Sequence, residues 1–280
     1  MPIIDAQVHA FERNHPGRPW LGEMHGLASA SAEEMIAHMD AQDVDASVLV
    51  SSFSLYRYDP SYAREVGAAY PDRFALVTPV DAAAANVGEI VDEWAKAKGA
   101  VGVRILFPQV PSTDPDDPGI KRILTAATRN NLAVNLFCWE RLDQVHAVAA
   151  KNPDANLVID HLGITQPFNP PVPADAWADL PKVLALAKFK NVSIKISGAC
   201  TLSHQGYPYD DIWPPILKII DAFGIDRCMW GTDWTRAVNL LTYQQGVDAF
   251  RAKDWLSDGD RATLMGGSLT KIYGWAPKKG

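Results

Sequence analysis

Nine polar residues fall in or just after short apolar runs, and their types are those that bind metals or move protons. They are Gln7 and His9 near the start, Arg104, the pair Asp160-His161, Lys195 and Ser197, and the pair Thr232-Asp233 near the end. Imidazole and carboxylate groups that converge can hold a divalent transition metal or form a water-activating acid–base pair. In the opening run, residues 2–9, strict alternation puts Gln7 and His9 on one face and Ala6 and Val8 on the other. Each residue also has an ordinary structural reading. A core histidine can be satisfied by hydrogen bonds, a buried lysine can pair with a carboxylate, and Asp233 can cap a following helix. Collected at one place they are harder to read that way, because burying polar groups costs free energy.

These residues need a scaffold that brings distant segments together. After the first run, segments rich in Val, Ile and Leu recur at 46–52, 74–80, 101–106, 132–137, 157–161, 192–197 and 227–232. They lack polar alternation, as expected of parallel strands covered by helices. Helices are predicted between them at 32–42, 61–70, 86–97, 119–130, 142–151, 176–189, 211–223 and 241–253. Eight strand–helix units in 280 residues predict an α/β fold, a (β/α)8 TIM barrel with residues 1–280 as one domain. A doubly wound open sheet is the alternative. The connections are unequal in a regular way. Helices pass to strands through tight turns such as Asn130-Asn131 and Lys190-Asn191, whereas strands feed long loops at 10–31, 107–118, 162–175 and 198–210. Elaborated loops mark the carboxyl ends of the strands as the functional face. The proline-rich stretch 167–173 reads as a stiff lid or wall, and Trp20 as an apolar plug. His15, His25 and His204 lie in loops that can reach the mouth.

Composition excludes several classes. A formal charge of −7 and a pI near 5.5 argue against nonspecific binding to nucleic acid or to an anionic membrane. No run approaches the length of a membrane span, and no leader is expected at the start. Cys138, Cys200 and Cys228 are far apart and odd in number, which supports neither a disulfide framework nor a zinc ribbon. A cytoplasmic protein is expected.

Five segments carry a family resemblance: Ile4-Asp5-Ala6-Gln7-Val8-His9, Gly102-Val103-Arg104, Val158-Ile159-Asp160-His161-Leu162-Gly163, Ile194-Lys195-Ile196-Ser197-Gly198 and Trp230-Gly231-Thr232-Asp233-Trp234. In this order they resemble the amidohydrolase superfamily. The amidohydrolase-2 branch, which includes sugar lactonases, pyrone-dicarboxylate and sulfomuconolactone hydrolases and nonoxidative decarboxylases, is the nearer likeness. The resemblance implies a distorted barrel with a His-x-His pair on strand one, a histidine on strand six and an aspartate on strand eight. His9, His161 and Asp233 match the second, third and fourth of these positions, and Gln7 replaces the first. Strand five, where many relatives carry another histidine, supplies none in residues 134–139. Any divalent metal, zinc before others, would therefore rest on His9, His161 and Asp233. The lactonase branch also includes members that use no metal.

The chemistry expected is hydrolysis at an activated carbonyl, with Asp233, His161 and His9 as catalytic residues. Asp233 is the expected general base, and His161, Arg104 or a metal would stabilise the oxyanion. A lactone fits because its leaving group stays tethered and can take back the proton. Arg104, Lys195, Arg57, Tyr58, Trp139 and His204 are expected to contact substrate, and the cations among them favour a small carboxylated molecule. A homo-oligomer is compatible with the sequence. A metal-dependent decarboxylase and a noncatalytic binding barrel are the competing readings.

Overall fold

A computed structural model describes residues 1–24 and 26–278. Eight strands run in parallel in the order of the chain: β1 Ile4–Val8, β2 Ala46–Val50, β3 Phe74–Pro79, β4 Ala100–Leu106, β5 Ala133–Phe137, β6 Leu157–Ile159, β7 Val192–Ser197 and β8 Cys228–Gly231. Helices fill the intervals, so the molecule is a nearly closed (β/α)8 barrel. The eight predicted strands are all present.

Alternation along each strand divides the core into two. Leu49, Leu76, Ile105, Leu136, Ile159 and Ile194 belong to the large cluster shared with the helices. Ala6, Val48, Val77, Ala133, Val158 and Met229 form a second, smaller cluster, capped by Leu269 and Tyr273 of the helix Ser268–Tyr273. That second cluster is the apolar floor of the barrel. Two residues further along the strands the same inward direction carries Asn135, Asp160, Gly231 and then Asp233. A polar layer thus sits directly on an apolar floor, at the carboxyl ends of the strands.

Two irregularities aim the polar layer. The β1–β2 register shifts between Asp5 and Val8, so Ala6 packs in the floor although strict alternation places it opposite Gln7 and His9. The shift lets Ala6, Gln7 and His9 all face inward while Val8 joins the outer cluster. In β4 the register shifts as Leu76 and Val77 face Ala100 and Gly102, which puts both Val101 and Arg104 inside. Bulges of this kind re-aim side chains next to sites.

The seam between β8 and β1 closes largely through a side chain. Asp5 Oδ1 accepts from Thr232 N (2.9 Å) and Gln7 N (3.0 Å), and Oδ2 accepts from Thr232 Oγ1 (2.6 Å). Asp233 N donates to Gln7 O at 2.9 Å. Gly231 is needed here because a Cβ would stand 3.1 Å from Gln7 N and 3.2 Å from Asp5 Oδ1.

Helix boundaries shift where local chemistry ends a helix early. The helix predicted at 176–189 is confined to Leu180–Leu186, with Pro181 in its first turn. The helices Phe53–Tyr56, Asp258–Ala262 and Ser268–Tyr273 are additions to the sequence reading.

Burial pushes the Asp5 carboxyl up to about 6, against the opposing effect of its hydrogen bonds. Between the unfolded value and about pH 6 the folded state therefore binds the extra proton, and stability falls as pH rises through that window. We expect the stability of wild type, measured against Asp5→Asn by urea unfolding, to drop by up to roughly 3 kcal/mol from about pH 4 to about pH 7. A difference that grows over the same range would contradict this reading.

Candidate active site

At the carboxyl ends of the strands the chain turns sharply after β6 and β8. His161 (φ 51°), Leu162 (φ 61°) and Asp233 (φ 51°) all adopt left-handed backbone without being glycine, a strain of about 1–3 kcal/mol each that gathers at functional sites. Asp233 starts a short 3-10 turn, Trp234–Arg236, yet its side chain makes no capping hydrogen bond. The capping reading of this carboxylate therefore fails, and its Oδ2 is bound by Arg236 instead.

Asp160 is the centre of the polar layer. Fully buried, it accepts from Arg104 Nε at 2.7 Å and Asn135 Nδ2 at 3.1 Å, and pairs with Lys195 Nζ at 3.1 Å. Burial would raise its pKa, but the charges of Lys195 and Arg104 outweigh that and hold it below the usual carboxylate range. Asn135 is fixed in turn by Tyr273 OH, 3.0 Å from Asn135 Oδ1.

From Asp160 two arms reach the histidines. Arg104 Nη2 lies 2.8 Å from His161 Nε2. A guanidinium only donates, so Nε2 is the acceptor and the ring proton is on Nδ1, which faces Ser197 Oγ at 3.2 Å and Asp233 Oδ2 at 3.3 Å. In the second arm Lys195 Nζ donates to Gln7 Oε1 at 2.8 Å, and Gln7 Nε2 faces His9 Nε2 at 3.4 Å. His9 Nδ1 donates to Val50 O at 2.7 Å. Burial, reinforced by Arg104 and opposed by Asp233, lowers the pKa of both rings, that of His161 strongly. Both histidines are neutral near pH 7.

Asp233 is fully buried. Its Oδ2 is bound by Arg236 Nε, and its Oδ1 has no hydrogen-bond partner among the described residues and stands 3.6 Å from His9 Nε2. Burial alone would raise the pKa, and the charge of Arg236, with smaller effects from His161 and His9, brings it below the usual range. Arg236 also donates to Gln166 Oε1 (2.7 Å) and Pro167 O (3.0 Å), and lies over the Phe168 ring at 5.2 Å. The proline-rich loop is thereby tied to Asp233 through Arg236, which agrees with its reading as a wall.

His9, His161, Arg104 and Arg236 open on a cavity of about 430 Å³, and Asp233 lies behind them, outside its lining. His9, His161, Arg104, Arg236, Arg57 and Trp139 line it, with Phe53, Leu106, Phe137 and Phe168 on its apolar side. Among the predicted substrate contacts, Lys195, Tyr58 and His204 are not in the lining. Lys195 is wholly buried beneath Gln7, Tyr58 packs on Phe53 at 5.1 Å, and the backbone of His204 is bound to Asp211 on the exposed loop. Trp20 is held by Phe11 and Glu12 O instead of plugging the mouth. His25 lies outside the described residues. Gln166 and the buried state of Arg236 were missed by sequence reading, because nothing in their local pattern marks the contact between two distant loops.

The donor set does not fit a divalent metal. A metal needs free lone pairs, and here His161 Nε2 is taken by Arg104, Asp233 Oδ2 by Arg236 and Gln7 Oε1 by Lys195. Only His9 Nε2 and Asp233 Oδ1 remain, and the first already faces the Gln7 amide. Among the described residues no group of three or more His, Cys, Asp or Glu stands arranged to hold a metal ion.

The family model for Amidohydrolase, of the amidohydrolase-2 type, matches residues 4–275. The chain belongs to this family, and is an enzyme of it. It is 25% identical over 285 residues to an L-fucono-1,5-lactonase of Burkholderia multivorans, covering 96% of this chain and 95% of that protein. It is 32% identical over 143 residues to a 4-sulfomuconolactone hydrolase of Rhizobium radiobacter, a match covering 50% of this chain and 45% of the relative. Among solved structures, an amidohydrolase from Burkholderia multivorans with bound zinc superposes with a TM-score of 0.80 at 25% identity, covering 98% of this chain and 99% of that one. A probable 2-pyrone-4,6-dicarboxylic acid hydrolase from Acinetobacter baumannii, with citric acid bound, gives 0.78 at 24% identity over 98% and 100% of the two chains, and shows the fold.

The central carboxylate can be tested alone. Replacing one partner of a buried ionic cluster leaves the others uncompensated. Asp160→Asn is expected to lower unfolding free energy by about 3–5 kcal/mol in urea, whereas a loss below about 1 kcal/mol would mean that Arg104 and Lys195 do not depend on it.

Proposed function

We propose that this chain hydrolyses a small lactone or related cyclic ester bearing a carboxylate, with Asp233 taking the proton from the attacking water. One observation carries the reading: Asp233 keeps an ionised, buried Oδ1 without a hydrogen-bond partner among the described residues, 3.6 Å from the unprotonated Nε2 of neutral His9. The two acceptors do not bond to each other, and the lone pair of His9 Nε2 already faces the Gln7 amide, so a water donating a proton to Oδ1 is what satisfies the carboxylate. An unpaired buried carboxylate oxygen costs free energy that a purely binding barrel has no reason to bear.

The steps follow from that placement. Water oxygen attacks the ring carbonyl while its proton passes to Asp233 Oδ1. The carbonyl oxygen gains charge beside Arg104, whose Nη1 is not used in holding Asp160 or His161. The ring C–O bond then breaks, and the departing alkoxide or enolate takes the proton back from Asp233. His161, held by Arg104 and Ser197, keeps Asp233 oriented through Nδ1–H. A tethered leaving group is an advantage here, since it remains within reach of the acid form of the base.

Substrate chemistry is supported by the cavity wall. Arg57, Arg104 and Arg236 put three guanidinium groups around one cavity, a setting that favours a carboxylate, while Phe137, Trp139 and Phe168 offer flat apolar surface for the ring. The lactonase and lactone-hydrolase names of the relatives point the same way. Decarboxylation on a metal has less support, because the ligand lone pairs it needs are already engaged.

In steady-state assays on a panel of carboxylated lactones, Asp233→Asn is expected to lower kcat by about 10²–10⁴-fold with a smaller change in KM. Unchanged turnover would remove Asp233 from the base role. Equal rates on neutral and carboxylated lactones would remove the substrate carboxylate.

A further inference from the structure

Gln7 stands at the position where the family resemblance puts the first ligand histidine, and its neighbours fix the direction of its amide. Lys195 Nζ, 2.8 Å away, has protons only to give, so the amide oxygen faces lysine and the NH2 group faces His9 Nε2. The ring proton of His9 is engaged by Val50 O, so its Nε2 carries a lone pair toward that NH2. Asp160, Lys195, Gln7 and His9 thus form one run in which donors and acceptors alternate without a mismatch. Reversing the amide would set NH2 against an ammonium and oxygen against a bare imidazole nitrogen.

Charge completes the picture. Lys195, Arg104 and Arg236 bring three positive charges to the layer, and Asp160 and Asp233 bring two negative ones. All five side chains are buried or nearly so. A divalent ion placed between His9 and Asp233 would stand beside the Arg104 and Arg236 guanidinium groups, whose charges repel it where water screens little. It would also meet amide protons at the nitrogen it must bind.

We propose that Lys195 and Gln7 act as a pair that stands in for the divalent metal of zinc-bound relatives: the buried ammonium orients the amide, the amide orients His9, and the pair keeps zinc out. The positive charge at the carbonyl is then supplied by Arg104. Lys195 is a positioning residue in this scheme, which explains why it lies wholly beneath the cavity floor. The proposal rests on the same site as lactone hydrolysis, but zinc uptake is measured without substrate, so a wrong substrate class leaves that readout unaffected.

The test is zinc content after incubation with zinc chloride and exhaustive dialysis, measured by plasma mass spectrometry. His9→Ala serves as the count of adventitious zinc. Wild type is expected to retain no more zinc than His9→Ala, whereas Gln7→His/Lys195→Met is expected to retain a full additional equivalent that disappears when Asp233→Asn is added. Gln7→His alone, with the ammonium still in place, is expected to bind zinc at least about tenfold more weakly than the double variant. Wild type holding a site-specific equivalent above His9→Ala overturns the proposal. A double variant that is folded by circular dichroism yet takes up no zinc overturns the assignment of exclusion to this pair. Should the double variant fail to fold, wild type against His9→Ala decides the matter alone.

Discussion

The buried carboxylate of Asp160, shared by Arg104 and Lys195, is the interaction on which the rest of the site depends. Without it neither cation has a reason to enter the barrel, since an unpaired buried charge is prohibitively costly. With it, one cation is held against His161 and the other against Gln7. The ring proton of His161 is placed by the arginine it faces, and that of His9 by Val50 O. The same carboxylate, through Asn135 and Tyr273, links the site to the helix that plugs the floor. A fold element at the closed end of the barrel thereby steadies groups at the open end.

Geometry at the strand ends turns this network into a site. Two register shifts bring Gln7, His9 and Arg104 inward, and left-handed turns at His161 and Asp233 bring their side chains over the same point. Arg236 keeps Asp233 ionised and ties it to the proline-rich loop. The result is a buried carboxylate with one oxygen secured by Arg236 and, among the described residues, one oxygen without a partner, close to a cavity lined by three arginines.

Much of this was legible in the sequence, for identifiable reasons. The eight strands show because buried parallel strands are runs of Val, Ile and Leu, and the functional face shows because its loops are long. His9, His161 and Asp233 converge because the barrel brings the ends of strands one, six and eight to one mouth, which their order along the chain already implies. What escaped depends on three-dimensional detail. The bulge that turns Ala6 into the floor leaves no mark on composition, and Lys195 cannot be told from a cavity-lining cation until its burial beneath Gln7 is seen. Tyr58 and His204 sit near the mouth in sequence but are drawn away by Phe53 and Asp211. Gln7 stood out as a departure from the ligand pattern, and only the position of Lys195 gives that departure a physical meaning.

Burial, reinforced by Arg104, keeps both histidines neutral, and Val50 O beside His9 and Arg104 beside His161 put the ring protons on Nδ1; nitrogen-15 NMR of histidine-labelled protein tests this most directly. At about pH 7 His9 and His161 should each show one protonated and one bare ring nitrogen, with the proton on Nδ1, and His161 should keep that state to lower pH than a free imidazole does. An imidazolium signal from either ring at about pH 7 would contradict it, because burial disfavours the charged ring.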